Sequence, residues 1–292
     1  MKQFSKVCLT MAACGALTLS NPSFALNILL TNDDSWDTTN IQVMKSTLEA
    51  AGHDVIMSAP CTGQSGKGGA MTFLKPVSVD ETQSADQEYC VGDTDTSVAF
   101  SSFAEGTPVM AAIYGIDVAA QAVWGQDPDL VISGPNEGNN LGYMNNNSGT
   151  LGAAMISLSR GIPAIAVSAN SNTPEEMNNT QGYKFTDVGW NGGGALLKFS
   201  DDLSTDSTAL YYTMQSLIAG GMTSEEAQAA ATSALSGKQG LTFTTGDAGD
   251  SSEDSEGVAV NEGYITISTI DGNVQAARGK VALVGQRLIG LE

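Results

Sequence analysis

The chain has a single histidine, His53, and that scarcity removes whole chemistries at once. Zinc centres assembled from several imidazoles are excluded, and a Ser-His-Asp triad would have to be built on His53 itself. That residue lies in Ala51-Gly52-His53-Asp54, which reads as a helix-to-strand turn, so the simpler reading is a turn residue. Basic residues are scarce too: 12 Lys and Arg stand against 32 Asp and Glu, a formal net charge of −20. Such a surface repels nucleic acid and anionic lipid and lacks the basic patch that a phosphate backbone requires, so neither nucleic acid nor membrane is expected as a partner. An anionic substrate would need a local cation, which argues for a metal in any site that takes one. No internal repeat is present. The apolar stretch Val7 to Leu19 falls short of the roughly 20 residues that a membrane-spanning helix needs.

That stretch follows Lys2 and Lys6, has no acidic neighbour and leads to Ser23-Phe24-Ala25, so residues 1–25 are expected to be a secretory signal peptide cut after Ala25. Lipoprotein processing at Cys14, in Met11-Ala12-Ala13-Cys14, is the alternative. It would leave an apolar region of only about six residues, below the usual span of roughly 7 to 15. Export places the mature chain, 26–292, in a periplasm or outside the cell. Losing the signal removes two positive charges and no negative ones, which makes the remainder more acidic still. Of the four cysteines, Cys61 and Cys90 then remain. In an oxidising compartment two cysteines most simply form one disulfide, with two buried thiols as the alternative, and no metal-type Cys/His spacing is present.

Beyond the signal, apolar runs alternate with helix-period stretches. Leu26 to Thr31, Val55 to Ala59, Leu130 to Ser133 and Ala164 to Val167 read as strands. Ile41 to Ala51, stopped by Gly52, and Gly149 to Arg160, closed by Gly161-Ile162-Pro163, read as helices. Continuous apolar strands separated by helices predict a mostly parallel sheet covered on both faces: an α/β, three-layer αβα, Rossmann-like fold. Val77 to Val79 and Tyr89 to Val91 look like short strands, and Val109 to Trp124 like an Ala-rich helix. A C-terminal extension follows, with a helical stretch from Thr208 to Ser236 broken at Gly220-Gly221 and a strand at Tyr264 to Ser268. Residues 26–292 are expected to form one domain. Gly246 to Glu256 is rich in acids but lacks the ligand spacing and central glycine of a calcium loop, so it reads as a solvated acidic loop.

Four polar stretches fall at strand ends or a helix start: Asn32-Asp33-Asp34, Gln64-Ser65-Gly66, Ser133-Gly134-Pro135-Asn136 and Ser148-Gly149-Thr150. Parallel strands bring their carboxyl ends to one edge, where open α/β sheets bind ligands. Adjacent carboxylates such as Asp33 and Asp34 repel, and a cation between them relieves the repulsion. Two carboxylates, a hydroxyl and an amide carbonyl make an all-oxygen set suited to Mg2+, Mn2+ or Ca2+ rather than zinc or copper. The helix starting at Ser148-Gly149-Thr150 offers backbone amides and a positive dipole end to an anion such as phosphate.

At these residues the sequence resembles the SurE-type survival proteins, metal-dependent nucleotidases and acid phosphatases. The resemblance rests on Ile28-Leu29-Leu30-Thr31-Asn32-Asp33-Asp34, Ala51-Gly52-His53-Asp54-Val55, Ala59-Pro60, Gln64-Ser65-Gly66, Pro128 to Gly134, Ser148-Gly149-Thr150 with Ala153-Ala154, and Gly161 to Ser168. Glu262 to Ile267 looks like the family's final core strand. The resemblance implies a divalent metal held by Asp33, Asp34, Ser65 and Asn136. It places Asn32, Asn136, Asn140, Ser148, Gly149 and Thr150 at the substrate, with Asn32, Asp33 and Asp34 as the catalytic set. It implies hydrolysis of phosphomonoesters, nucleoside monophosphates above all, and a tendency to form homodimers or homotetramers through exchanged C-terminal elements. The favoured chemistry is metal-assisted attack of water, with attack by Asp33 or Asp34 as the alternative. A non-catalytic exported protein that binds phosphorylated ligands is the rival from another class.

The chain departs from the family at the rim. Ser35 replaces a glycine, Thr39-Asn40 a Pro-Gly, Glu137 a histidine and Asn147 a tyrosine; none of these is a proposed metal ligand. The Ala-rich stretch before Gln126 and the Cys61 and Cys90 pair look like features of exported relatives. Cys61 lies four residues before Ser65, so a bridge to Cys90 would tether the loop that carries this ligand.

Overall fold

Strand β1 (Asn27–Thr31) is almost wholly apolar because it is covered on both faces: Ile28, Leu29 and Leu30 are each buried. It lies between β2 (Asp54–Pro60) and β5 (Leu130–Glu137), parallel to both. The computed structural model describes residues 25–94, 102–169, 179–246 and 249–272, together with 279, 282, 283 and 286. The expected signal peptide, apart from Ala25, and Asp247 of the acidic stretch lie outside the described residues.

The main sheet has the order β3-β4-β2-β1-β5-β6, where β3 is Val79–Asp80, β4 is Glu88–Val91 and β6 is Ala164–Ala169. All neighbours are parallel except β3 with β4. The chain winds outward from β1 through β2 to β4, then returns to β5 on the other side of β1. Strand order therefore reverses between β1 and β5, and their carboxyl ends open the crevice where such sheets take ligands.

Alternate side chains of the strands serve opposite layers. Ile28, Leu30, Val55, Met57 and Ile132 pack with Ile41 of helix α1 (Thr39–Ala50). Leu29, Ile56 and Val131 pack with Ile116, Ala119 and Ala120 on the other face. Those last three residues lie on one continuous helical run: α2 (Pro108–Tyr114), a π turn at Gly115–Ala119 and α3 (Ala120–Val123). A Cβ at Gly115 would come within 2.5 Å of Leu29 Cδ1, so only glycine lets this run lie so close to the sheet. Helix α4 (Gly149–Ser159) completes that layer, packing on α2, β5 and β6. The expected αβα arrangement is observed.

The C-terminal part differs more from expectation. The helical stretch is two helices, α5 (Ser207–Ala219) and α6 (Ser224–Leu235), parted at Gly220-Gly221, with a capping box between Thr223 and Glu226. Strands β7 (Tyr183–Thr186), β8 (Ala195–Ser200) and β9 (Gly240–Thr245) carry too little buried apolar surface to announce themselves. β8 pairs antiparallel with β9. Strand β10 (Ile265–Ser268), expected as a final core strand, pairs in parallel with β7 outside the six-stranded sheet. β5 was expected to end at Ser133, but it runs on to Glu137 through a register shift between Ser133 and Asn136, the kind of irregularity that tolerates Pro135. Among the described residues no helix is long and apolar enough to cross a membrane.

Cys61 follows β2 and Cys90 lies in the neighbouring β4, and the two are joined by a disulfide with Cα atoms 4.7 Å apart. Both are buried. The bridge closes a loop with a sequence separation of 29, for which chain entropy predicts stabilisation of about 3 to 4 kcal/mol. Reduction, or Cys90→Ala, is expected to lower the unfolding free energy by about that amount in a urea titration; an unchanged midpoint in reductant would show that the bridge does not stabilise the fold.

Candidate active site

The turn after β1 is closed by its own first residue. Asn32 is fully buried, and its Nδ2 donates to Ser35 O at 2.7 Å while Ser35 N donates back to Asn32 Oδ1 at 3.4 Å. Asn32 Nδ2 also lies 3.4 Å from Thr38 Oγ1. This side chain, expected among the catalytic and substrate-facing groups, is engaged in shaping the turn that presents the two aspartates. Ser35 has φ 125°, a conformation that suits glycine, at a cost of about 1 to 3 kcal/mol. Its hydroxyl, 2.7 Å from Asp37 Oδ1 and 3.2 Å from Cys61 O, and the Trp36 N–H bond to Pro60 O offset that strain.

Asp33 is 3 % exposed and sits against the start of α4. Thr150 Oγ1 donates to its Oδ1 at 2.6 Å, and the Gly149 amide lies beside the same carboxylate and favours its charged form. Burial pushes the Asp33 carboxyl above its usual range, against the Thr150 hydroxyl, its own backbone amide and that of Gly149, which favour the charged form. A Cβ at Gly149 would lie 2.8 Å from Asp33 Cβ and 2.9 Å from Pro108 Cγ, so glycine is what lets the helix end meet the carboxylate. Ser148 caps the helix, its Oγ accepting from Leu151 N at 3.0 Å. The hydroxyl of Thr150 and the amide of Gly149, expected to face a phosphate, thus meet a protein carboxylate here.

Asp34 is half-buried, and its Oδ2 accepts the Glu137 N–H at 2.7 Å, tying the β1 turn to the end of β5. Its pKa is pushed up to about 6, first by burial; the Glu137 amide opposes the shift, and the charges of Asp33 and Glu137 add to it. Asn136 is buried, and its Nδ2 donates to Gly138 O at 2.7 Å, which leaves its carbonyl oxygen as the atom for a ligand. The Gln64 N–H donates to Asp33 O at 2.7 Å, bringing the loop of exposed Ser65 to the same turn. Asn140 Nδ2 donates to Ser168 Oγ at 2.9 Å at the end of β6. Direct bonds therefore tie Asp33 to Thr150 and Asp34 to the Glu137 amide; Ser65 and Asn136 join through their chain neighbours, and Asn140 through β6.

This donor set fits a hard divalent cation. Neither Asp33 nor Asp34 has a Lys or Arg partner among the described residues, though burial holds both carboxyls above their usual range. Gln64 Oε1 is buried in the adjoining loop without a hydrogen-bond partner among the described residues. No three His, Cys, Asp or Glu side chains among the described residues form a metal-binding group, so a cation here rests on two carboxylates and neutral oxygens.

Two contributors carry no signal of their role in the sequence. Glu137 supplies its backbone N–H, which no side-chain pattern reveals. Glu256, read as part of a solvated loop, is buried and accepts hydrogen bonds from Gly142 N and Asn145 Nδ2. Its own hydration is replaced by those donors, which local acidity could not show. His53 is the turn residue expected, its Nδ1 accepting from Leu26 N at 3.2 Å.

The fold and the site define a doubly wound α/β protein with an acidic, oxygen-lined centre at its switch point. The model of the family described as Survival protein SurE matches residues 28–191, and the chain belongs to this family. Over 162 residues it is 37 % identical to 5'-nucleotidase SurE of Methanosphaera stadtmanae, covering 56 % of this chain and 57 % of that protein. Over 161 residues it is 38 % identical to an acid phosphatase of Yarrowia lipolytica, covering 53 % of this chain and 44 % of that protein. The matched stretch thus spans about half the length of these relatives. The crystal structure of the SurE protein from Aquifex aeolicus shares the fold, with a TM-score of 0.60 at 22 % identity, over 90 % of this chain and 99 % of that one.

The Asp34 shift sets a pH dependence. Its folded pKa is about 6 against an ordinary value of 3.8, so the metal-free fold binds this proton more tightly than the unfolded chain and loses stability as pH rises between the two. In chelator, wild type is expected to lose thermal stability relative to Asp34→Asn as pH rises from about 4 to 7, and added Mn2+ is expected to restore only the wild type. A difference between the two proteins that is flat with pH would contradict the assignment.

Proposed function

We propose that this chain is an exported, divalent-metal-dependent phosphomonoesterase that hydrolyses nucleoside monophosphates. The observation that carries the reading is the pair Asp33 and Asp34, held at the β1–β5 switch point against the N-terminus of α4 with no protein cation paired to them among the described residues. Family membership supports it, as do the names of the relatives, 5'-nucleotidase SurE and acid phosphatase.

Asp33 and Asp34 would hold the metal, Mg2+, Mn2+ or Ca2+, with Ser65 Oγ and the Asn136 carbonyl completing the protein ligands. When bound, the cation supplies positive charge for the phosphoryl oxygens and acidifies water. The α4 amide and the Thr150 hydroxyl orient Asp33 and favour its ionised form. A carboxylate so held is poorly placed to attack phosphorus, which favours water as the nucleophile over an aspartyl-phosphate route. Asn140, and Ser148 at the N-cap of α4, are the groups assigned to orient the phosphate. Glu137, at the mouth, adds negative charge near Asp34 and so disfavours highly charged polyphosphates.

Export is inferred from the pattern of residues 1–25 and fits the Cys61–Cys90 disulfide, a bond that persists in oxidising compartments.

Hydrolysis of p-nitrophenyl phosphate with Mg2+ or Mn2+ tests the proposal. Activity is expected to vanish in chelator, and Asp33→Asn is expected to lower kcat/KM about 100-fold or more with an unchanged circular dichroism spectrum. Activity indifferent to chelator would refute the metal role. Tight phosphate binding without turnover would instead make the chain an exported binding protein for phosphorylated ligands.

A further inference from the structure

Glu256 is 6 % exposed and opens helix α7 (Glu256–Asn261), far along the chain from the aspartates and beyond residues 28–191, the stretch matched to the family. Its carboxylate faces no lysine or arginine among the described residues. Instead Oε1 accepts from Gly142 N and from Asn145 Nδ2, both at 2.8 Å, and Oε2 accepts from Ser268 Oγ at 2.7 Å. Ser268 lies in turn 2.9 Å from Thr186 Oγ1, so the carboxylate is backed by the β7–β10 pair. The Glu256 N–H is anchored on Asp187 O at 2.9 Å.

The two donors to Oε1 belong to the 3-10 turn Gly142–Asn147, which connects Asn140 to Ser148. Elsewhere the turn is held by Tyr143, whose hydroxyl donates to Ala195 O at 3.0 Å and accepts from Leu197 N at 2.9 Å, and by Asn147 O, which accepts from Gly68 N at 3.1 Å. Gly142 has φ +53°, and a Cβ there would lie 2.5 Å from Asn191 O; Gly257 is crowded by the same carbonyl. The turn is therefore clamped between the C-terminal part of the chain and the loop of Gly68, with Glu256 as its charged anchor among the described residues.

From this geometry we infer that Glu256 is a positioning residue for substrate: by holding the turn Gly142–Asn147 it sets where Asn140 and Ser148 stand relative to Asp33 and Asp34. The inference rests on the phosphomonoesterase reading for its kinetic consequence but not for the clamp itself. The aspartates are fixed separately, Asp33 by Thr150 and Gly149 and the turn by Asn32, so loss of the clamp acts on substrate placement rather than on cation affinity.

Hydrogen bonding, not charge, is the operative property, and this separates two substitutions. In Glu256→Gln the carbonyl oxygen still accepts from Gly142 and Asn145, and the amide donates to Ser268, whose own proton turns to Thr186. Glu256→Ala leaves the two donors of the turn without a partner.

The full chain is compared as wild type, Glu256→Ala and Glu256→Gln, by hydrogen exchange of peptides covering 142–148, by KM and kcat for p-nitrophenyl phosphate, and by Mn2+ calorimetry. Glu256→Ala is expected to lose exchange protection in 142–148 and to raise KM about tenfold, with a smaller change in kcat and Mn2+ affinity within twofold of wild type. Glu256→Gln is expected to match wild type in all of these. Unchanged exchange and KM in Glu256→Ala would overturn the inference, as would a Glu256→Gln variant as impaired as Glu256→Ala. If wild type shows no turnover, the phosphomonoesterase reading fails, while the exchange data still decide whether Glu256 holds the turn.

Discussion

The contact on which the site depends is the one between the N-terminus of α4 and the carboxylate of Asp33. Burying a carboxylate to 3 % exposure with no cation beside it among the described residues is costly, and the Thr150 hydroxyl and the amide end of α4 offset part of that cost. A charge-assisted hydrogen bond of this kind contributes about 1.5 to 3 kcal/mol, and burial still holds the carboxyl above its usual range. The sheet sets the place, since β1 delivers Asp33 at the switch point while α4 packs beside β5 and β6. Glycine at 149 lets the two meet.

From that contact the other features follow in order. Asp34 extends from the same turn toward β5 and is fixed by the Glu137 amide, so the two carboxylates are anchored to different elements. Neither anchor carries a full positive charge. Two carboxylates held close by neutral donors leave an unneutralised charge, and a divalent cation answers it better than a protein side chain in a molecule with 12 basic residues against 32 acidic ones. The disulfide bears on the same turn: Cys61 O is 3.2 Å from the Ser35 hydroxyl, so covalent tethering of β2 to β4 steadies the strained residue that follows the aspartates.

Much of this was legible in the sequence where burial and local chemistry coincide. The strand Asn27–Thr31 announced itself because it is covered on both faces, and Ser148 because an N-cap needs an oxygen followed by free amides. The partners of the aspartates were harder to read. The Thr150 hydroxyl was expected to face substrate, since nothing local shows that a residue distant in sequence will claim it. Glu137 acts through its backbone, to which side-chain patterns are blind. β7, β8 and β9 lie in two-stranded pairs with much exposed surface, so their alternation is weak, and β10 was placed with the main sheet because a short alternating strand does not name its partner. Glu256 looked solvated for the same reason: the two donors to its Oε1 come from residues more than a hundred positions away.

The central claim is that Asp33 and Asp34 hold a divalent cation. Crystals grown with Mn2+ and measured at the manganese absorption edge test it most directly. An anomalous peak between the two carboxylates, within about 2.0 to 2.3 Å of an oxygen from each and with Ser65 and Asn136 turned toward it, is the predicted result. An anomalous map with no peak there, at Mn2+ concentrations that support or saturate any measured binding, would contradict the account.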